Sequence, residues 1–202
     1  MMTSLLTAPP DSTKRSVHML LAALVVVAAS SPARSADLAA ILASTAVHPP
    51  AEIGFQEERH NPMFKEPMVL AGRLEYLDAG VLRKVVETPF EEDILVQENR
   101  VVVTRDGRTR RLSLNRSRAL KTILGAIEAV LAGDQARLED SFRCDASGSA
   151  ESWSLRMTPL EKAVAKRLSS IEVTGDGQAV TSIRIILPND EWHLMQIGDD
   201  LQ

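Results

Sequence analysis

Two runs of two-residue hydrophobic periodicity, set on either side of one long amphipathic helix, limit what this chain can fold into. A period of two sends successive side chains to opposite faces of a strand, so each run must build sheet with one face to bury. In the first run "GFQEERHN" reads as a strand, and "PMVLAGRLEYL" (67–77) puts Met68, Leu70, Gly72, Leu74 and Tyr76 on one face with Arg73 and Glu75 on the other. Strands at 81–88, 92–98, 100–105 and 109–114 follow at short spacing. Asp106-Gly107, between β-branched runs, is a favoured two-residue hairpin turn. The second run opens with "ESWSLRMTP", where Trp153, Leu155 and Met157 alternate with Ser152, Ser154 and Arg156. It continues at 168–174, 179–187 and 191–197, turning at "TGDGQ" and "PNDE".

Between the runs, "NRSRALKTILGAIEAVLAGD" (115–134) carries Leu120, Ile123, Leu124, Ile127, Val130 and Leu131 on one stripe, with Asn115 or Ser117 as cap and Gly133 as stop. A helical turn, "QARLEDSF", continues it. Ahead of the first run, "ADLAAILASTAV" (36–47) spaces Leu38, Ile41 and Leu42 helically and ends at His48-Pro49-Pro50. "TPLEKAVAKRL" predicts a short helix with Thr158 and Glu161 as a capping box and Pro159 at the first helical position. The fold class is therefore α+β. A long antiparallel sheet curls, and its concave face needs covering, for which the two apolar helices are available.

Lys14 and Arg15 precede "VHMLLAALVVVAAS", then Pro32 and the small-residue site "ARS". This pattern predicts a signal peptide over 1–35, cut after Ser35, and a single domain over 36–202. The uncharged run falls short of the roughly 20 residues that span a bilayer, which argues against an anchor. The expected product is a soluble periplasmic protein. Cys144, the one cysteine, leaves no intrachain disulfide and no site for N-terminal acylation after the signal segment. Residues 1–35 hold Lys14, Arg15, Arg34 and Asp11, so without them the 23 basic and 27 acidic residues fall to 20 and 26, a net charge of −6. That balance disfavours nucleic acid and anionic membrane surfaces as partners.

No catalytic constellation emerges. His48, His60 and His193 sit at no metal-ligand spacing, so no metal and no cofactor are expected, and the chain does not read as an enzyme. Adjacent carboxylates such as Glu57-Glu58 and Glu91-Glu92-Asp93 point to opposite faces of a strand and suit solvated edges better than acid–base work. Cys144 has no activating partner. Arg105, Arg108, Arg110 and Arg111 in "RDGRTRR" could bind an anionic headgroup or an acidic partner, or simply charge a hairpin tip against edge aggregation.

The segment "GFQEERHNPMFKEPMVLAGRLEYLDAGVLRKVVETP" resembles the N-terminal part of the outer-membrane lipoprotein carrier family (LolA-like). The likeness rests on Phe55 with Glu57, Gly72 with Leu74, Ala79-Gly80 with Leu82-Arg83, and Pro89. "LAGD", "SWSLRMTP" and "IEVTGDG" extend it over most of residues 38–197. It departs from the family at Lys84, where many carriers have Trp, and in its few aromatics. The resemblance implies an incomplete (half) β-barrel lidded by helices, whose apolar cavity holds the acyl chains of a lipoprotein or another lipid. It implies an inner-membrane exporter as donor, an outer-membrane acceptor, and a monomer.

On that reading the cavity residues are Met68, Leu70, Leu74 and Tyr76, Val81 and Val85 beside Arg83, and Trp153, Leu155 and Met157. The lid residues are Leu38, Ile41, Leu42, Leu120, Ile123, Leu124 and Ile127. Ordinary core packing is the plain alternative for each. Because neighbours on a strand alternate, Arg83 and Lys84 cannot both face inward; the resemblance chooses Arg83 and implies that it hydrogen-bonds lid backbone. A buried guanidinium is tolerable only while its donors are satisfied, so such a lid is held shut modestly. The other functional readings are a lipid-sensing regulatory protein of the envelope and an accessory carrier in a membrane-linked pigment or lipid biosynthetic system.

Overall fold

The computed structural model describes residues 37–198. The predicted signal peptide lies outside the described residues. An α-helix, α1 (Leu38–Thr45), is followed by six strands: β1 (Ala51–His60), β2 (Met68–Asp78), β3 (Val81–Thr88), β4 (Glu92–Gln97), β5 (Arg100–Arg105) and β6 (Arg108–Ser113). A 3-10 turn leads into α2 (Arg118–Ala132) and α3 (Gln135–Glu139). Then come β7 (Phe142–Gly148), β8 (Ser152–Pro159), α4 (Lys162–Ala165), β9 (Ser170–Asp176), β10 (Ala179–Ile186) and β11 (Trp192–Ile197).

All eleven strands form one antiparallel, curved, unclosed sheet in the order β6-β5-β4-β3-β2-β1-β11-β10-β9-β8-β7. The chain runs out along one arm from β1 to β6, crosses by way of α2 and α3 to the far edge at β7, and returns to β11 beside β1. Local chemistry fixes the turns. Asp106 and Gly107 both take positive φ (51° and 68°), the mirror-image turn that matches strand twist. Ser117 caps α2 by accepting from the Leu120 N–H, and the helix stops at Gly133.

The cross-strand register sorts side chains into two faces. One carries Phe55, Leu70, Leu82, Val86, Val96 and Val101 on the β1–β5 arm, and Trp153, Leu155, Met157, Ile171 and Val173 on the other. The helices cover this face. Leu42, Leu155, Met157 and Leu168 are essentially fully buried there, each contributing about 1.5–3 kcal/mol of apolar burial. Trp153 anchors the β8 arm by donating its indole N–H to the Gly177 carbonyl at 3.0 Å.

Three sequence expectations are corrected. Phe142–Gly148 is strand β7, whose alternation of Phe142, Cys144 and Ala146 with Arg143, Asp145 and Ser147 is present but runs through small side chains that give little signal. Thr158 and Pro159 stay in β8, so the capping box does not form; α4 starts at Lys162 and Glu161 pairs with Arg118 instead. Strand β1 begins at Ala51, before the stretch that reads as alternating.

At Gly72 the β2–β3 register shifts, and a Cβ there would collide with the Val85 carbonyl oxygen in the neighbouring backbone. Gly72→Ala is expected to cost about 1–3 kcal/mol, read from the denaturant midpoint.

Candidate functional site

The apolar face is not one continuous core. The largest cluster joins α1 (Ile41, Leu42), α2 (Ala126, Ala129, Val130) and β8–β9 (Trp153, Leu155, Met157, Ile171, Val173); Leu38 and, from the first turns of α2, Ala119 and Ile123 pack on it. A second cluster lies on the β1–β6 arm, where Leu120 and Leu124 of α2 rest against Val96, Val101 and Leu114. One helix thus bridges both arms of an open sheet. Between them sits a third, small cluster of Phe55, Leu70 and Val86 with Leu74, Phe90 and Met195, to which α1–α4 contribute no apolar side chain.

Charged side chains lie over that central floor. The Glu57 carboxylate, 3% exposed, accepts from Arg59 Nε and Nη2 at 3.0 and 3.1 Å, is ion-paired with Lys84 Nζ, and has His193 Nδ1 at 3.6 Å. Lys84 reaches Glu57 past Gly72, which offers no side chain, and its ammonium stands 4.5 Å from the centre of the Phe55 ring. Nearby, the Arg105 guanidinium stacks 3.6 Å from the centre of Phe90 and approaches Glu92 at 3.9 Å.

The balance of burial and charge around each group shows how thinly one carboxylate is shared. Burial alone would push Glu57 up, but the Arg59 hydrogen bonds and the Lys84 charge together hold it below the ordinary range. Burial pushes Lys84 down, and Glu57 offsets this only in part. His193 is likewise pushed down by burial, which the Glu57 charge opposes and the Arg59 and Lys84 charges reinforce. Elsewhere, burial with Glu139 and Asp145 pushes the Cys144 thiol up to about 11, leaving it a thiol rather than a nucleophile.

Arg83 is a correction. It lies with Val81 and Val85 on the face opposite the helices, because Val81, Arg83 and Val85 stand opposite Gln97, Leu95 and Asp93 while Leu82, Lys84 and Val86 take the helix-covered side. There it donates from Nε to both Asp93 oxygens at 3.0 Å and pairs with Glu75, beside Arg73. The Asp93 hydrogen bonds raise Arg83, and the guanidinium lowers Asp93. Lys84 is the inward cation.

The remaining predicted residues scatter. Leu70, Trp153, Leu155 and Met157 are buried on the helix-covered face, Leu74 and Tyr76 are half-buried on it, and Met68 is exposed near its end. Ile127 is half-buried on α2. Of the predicted residues only Leu124 lines a cleft of about 480 Å³ beside α2, floored by Leu114, Ala126, Leu138 and Phe142. Sequence reasoning missed Glu57, Arg59, Lys84 and His193 as a unit; their parity was readable, but their convergence needed the β1–β2, β2–β3 and β1–β11 registers.

A family model described as "Outer membrane lipoprotein carrier protein LolA-like" matches residues 29–190. The chain belongs to this LolA-like family. Among solved structures, the LolA-like chain is similar to a LolA superfamily protein from Nitrosomonas europaea (TM-score 0.40, 10% identity, 79% of this chain and 90% of that one). It is also similar to LprF from Mycobacterium bovis (0.37, 9%, 80% and 91%) and to MucB, solved in complex with MucA(peri) (0.30, 16%, 73% and 48%). No curated protein compared with it matches. No described helix is long and apolar enough to cross a membrane.

Two outcomes are expected. Glu57 and His193 both have depressed folded values, so the unfolded chain binds more protons and stability rises with pH. The His193 contribution is lost as pH falls below 6.5 and that of Glu57 as it falls below 4.5. Denaturation midpoints between pH 7.5 and 5.5 should drop less in His193→Gln than in the parent; parallel profiles would refute the assignment. Arg83→Leu, at a partly exposed ion pair, should cost about 1 kcal/mol or less, read from the denaturant midpoint.

Proposed function

We propose that this chain is a carrier without catalytic activity, which holds the acyl chains of a lipoprotein or another lipid between the helix-covered face of its sheet and the bridging helix. One observation supports it above all: α2 makes separate apolar contacts with each arm, and the helices contribute no apolar side chain to the cluster between them. Acyl chains need an apolar surface that can be uncovered, and a helix resting on two separate footings can lift from one while held by the other. Leu120 and Leu124 form the smaller footing. Ile41, Leu42 and the Val47 N–H to Leu131 carbonyl bond tie the other end of α2 down.

Family membership supports the direction of transport: export to the periplasm with loss of residues 1–35, loading from an inner-membrane exporter, and delivery to an outer-membrane acceptor. The domain then comprises residues 36–202 and works as a monomer. Its negative charge suits a carrier that does not adhere to anionic membrane between transfers. Lid movement on this chain works through the α2 footings and does not involve Arg83.

Native mass spectrometry of protein purified from its own cell envelope should show a co-purifying acyl ligand, and Leu120→Asp/Leu124→Asp should lower its occupancy. A stable protein partner with no lipid would replace this reading with the regulatory one.

A further inference from the structure

The charges on the β1–β6 arm are sorted by face. On the helix-covered side the register places Arg59, Lys84, Arg105, Arg108 and Arg110 against only Glu57 and Glu92. On the other side the register places Arg73, Arg83, Arg100 and Arg111 with Glu52, Glu58, Glu75, Glu87 and Asp93, and Arg73 and Arg83 share Glu75, Glu87 and Asp93 in one ion-paired network. A chain that is acidic overall thus turns a cationic surplus toward the surface proposed to hold its ligand.

The centre of that surplus is built rather than incidental. Glu57 is 3% exposed yet serves Arg59 and Lys84 at once, with His193 at 3.6 Å. One carboxylate cannot neutralise two cations, so donor capacity is left over: a guanidinium has five N–H donors and an ammonium three. The cluster is also reachable, because Arg59, Lys84 and His193 keep 32%, 16% and 29% of their side-chain surface while Glu57 keeps 5%. The cations present themselves and the internal anion is hidden beneath them. Arg105, flat on Phe90, continues the same polarity toward the β6 edge.

We propose that Arg59 and Lys84 form a receptor for an anionic headgroup, so that the cargo is an amphiphile whose apolar chain lies on the helix-covered face and whose carboxylate or phosphate is bound beside Glu57. This deepens the carrier reading and rests on it. Glu57 acts as an internal stand-in: it holds the two cations in place while no ligand is bound and competes with the headgroup when one arrives. Uncharged amphiphiles would use the apolar surface alone.

The test uses the full chain after export and displacement of an uncharged fluorescent dye, N-phenyl-1-naphthylamine, by four probes: hexadecanol, palmitate, hexadecyl phosphate and hexadecyltrimethylammonium. Palmitate or hexadecyl phosphate should displace at about 10-fold lower concentration than hexadecanol, the scale of one charge-assisted contact, and the cation should be weakest. The ratio of palmitate to hexadecyl phosphate distinguishes carboxylate from phosphate. Lys84→Met should erase the anion preference, read within the variant as equal displacing concentrations of hexadecanol, palmitate and hexadecyl phosphate. Glu57→Gln removes the competitor without removing the cations, so it should strengthen both anions; a purely structural cluster would instead weaken or leave unchanged their binding. Equal displacement by hexadecanol and both anions, or a Glu57→Gln variant that binds anions no better than the parent, overturns the headgroup receptor while the carrier stands. Failure of every probe to displace the dye overturns the carrier reading itself.

Discussion

An antiparallel sheet with one apolar face is incomplete until something covers that face, and here the cover is mainly a single fifteen-residue helix lying across both arms. The remaining architecture follows from this. The chain must leave the sheet at β6, cross its face as α2, and re-enter at the far edge, because only such a crossing lets one helix turn Leu120 and Leu124 to β4–β5 and the stripe from Ala119 and Ile123 to Ala126 and Val130 to the β8–β9 cluster. The sheet cannot close between β6 and β7 while the chain passes there. An open sheet with a bridging helix is the result, and the floor between the two footings is left to side chains of the sheet itself.

That floor explains why charge appears among apolar residues. Phe55, Leu70 and Val86 are shielded by long side chains whose stems are apolar and whose heads are paired, Lys84 across the Phe55 ring and Arg105 across Phe90. A buried carboxylate shared by several cations is tolerated because its hydrogen bonds are satisfied, although the lowered values of Lys84 and His193 show that burial is not fully repaid. Apolar lining for chains and a polar island for a head are therefore neighbours on one surface. On the opposite face the same strands carry Arg73, Arg83 and Asp93, partly exposed and ion-paired around the buried Glu75 across β2–β4.

Much of the fold was legible in the chain. Period-two runs named ten of the eleven strands, Asp106-Gly107 and the Pro-Asn-Asp-Glu stretch placed turns where Asp106, Asn189 and Asp190 do take positive φ, and Gly133 marked the end of α2, while the choice between Asn115 and Ser117 as its cap fell to the structure, which uses Ser117. Strand β7 was lost because cysteine, alanine and glycine make a weak apolar stripe. The Thr158–Glu161 capping box was lost because Thr158 and Pro159 extend β8 opposite Arg143 and Phe142, a tertiary pairing that outweighs a local cap.

Sequence by itself determined the α+β class, the antiparallel meanders, the cover helix and the fact that Arg83 and Lys84 point opposite ways, since all of these depend on local periodicity and turn chemistry. Which of those two cations faces inward was decided only by tertiary structure. Parity within a strand is invariant to flipping the whole strand, and the choice between faces comes from the register with β2 and β4, whose apolar residues the helices cover. The same holds for Glu57, Arg59, Lys84 and His193, which lie on three strands far apart in the chain. Their meeting is a property of the sheet order, in which the first strand pairs with the last.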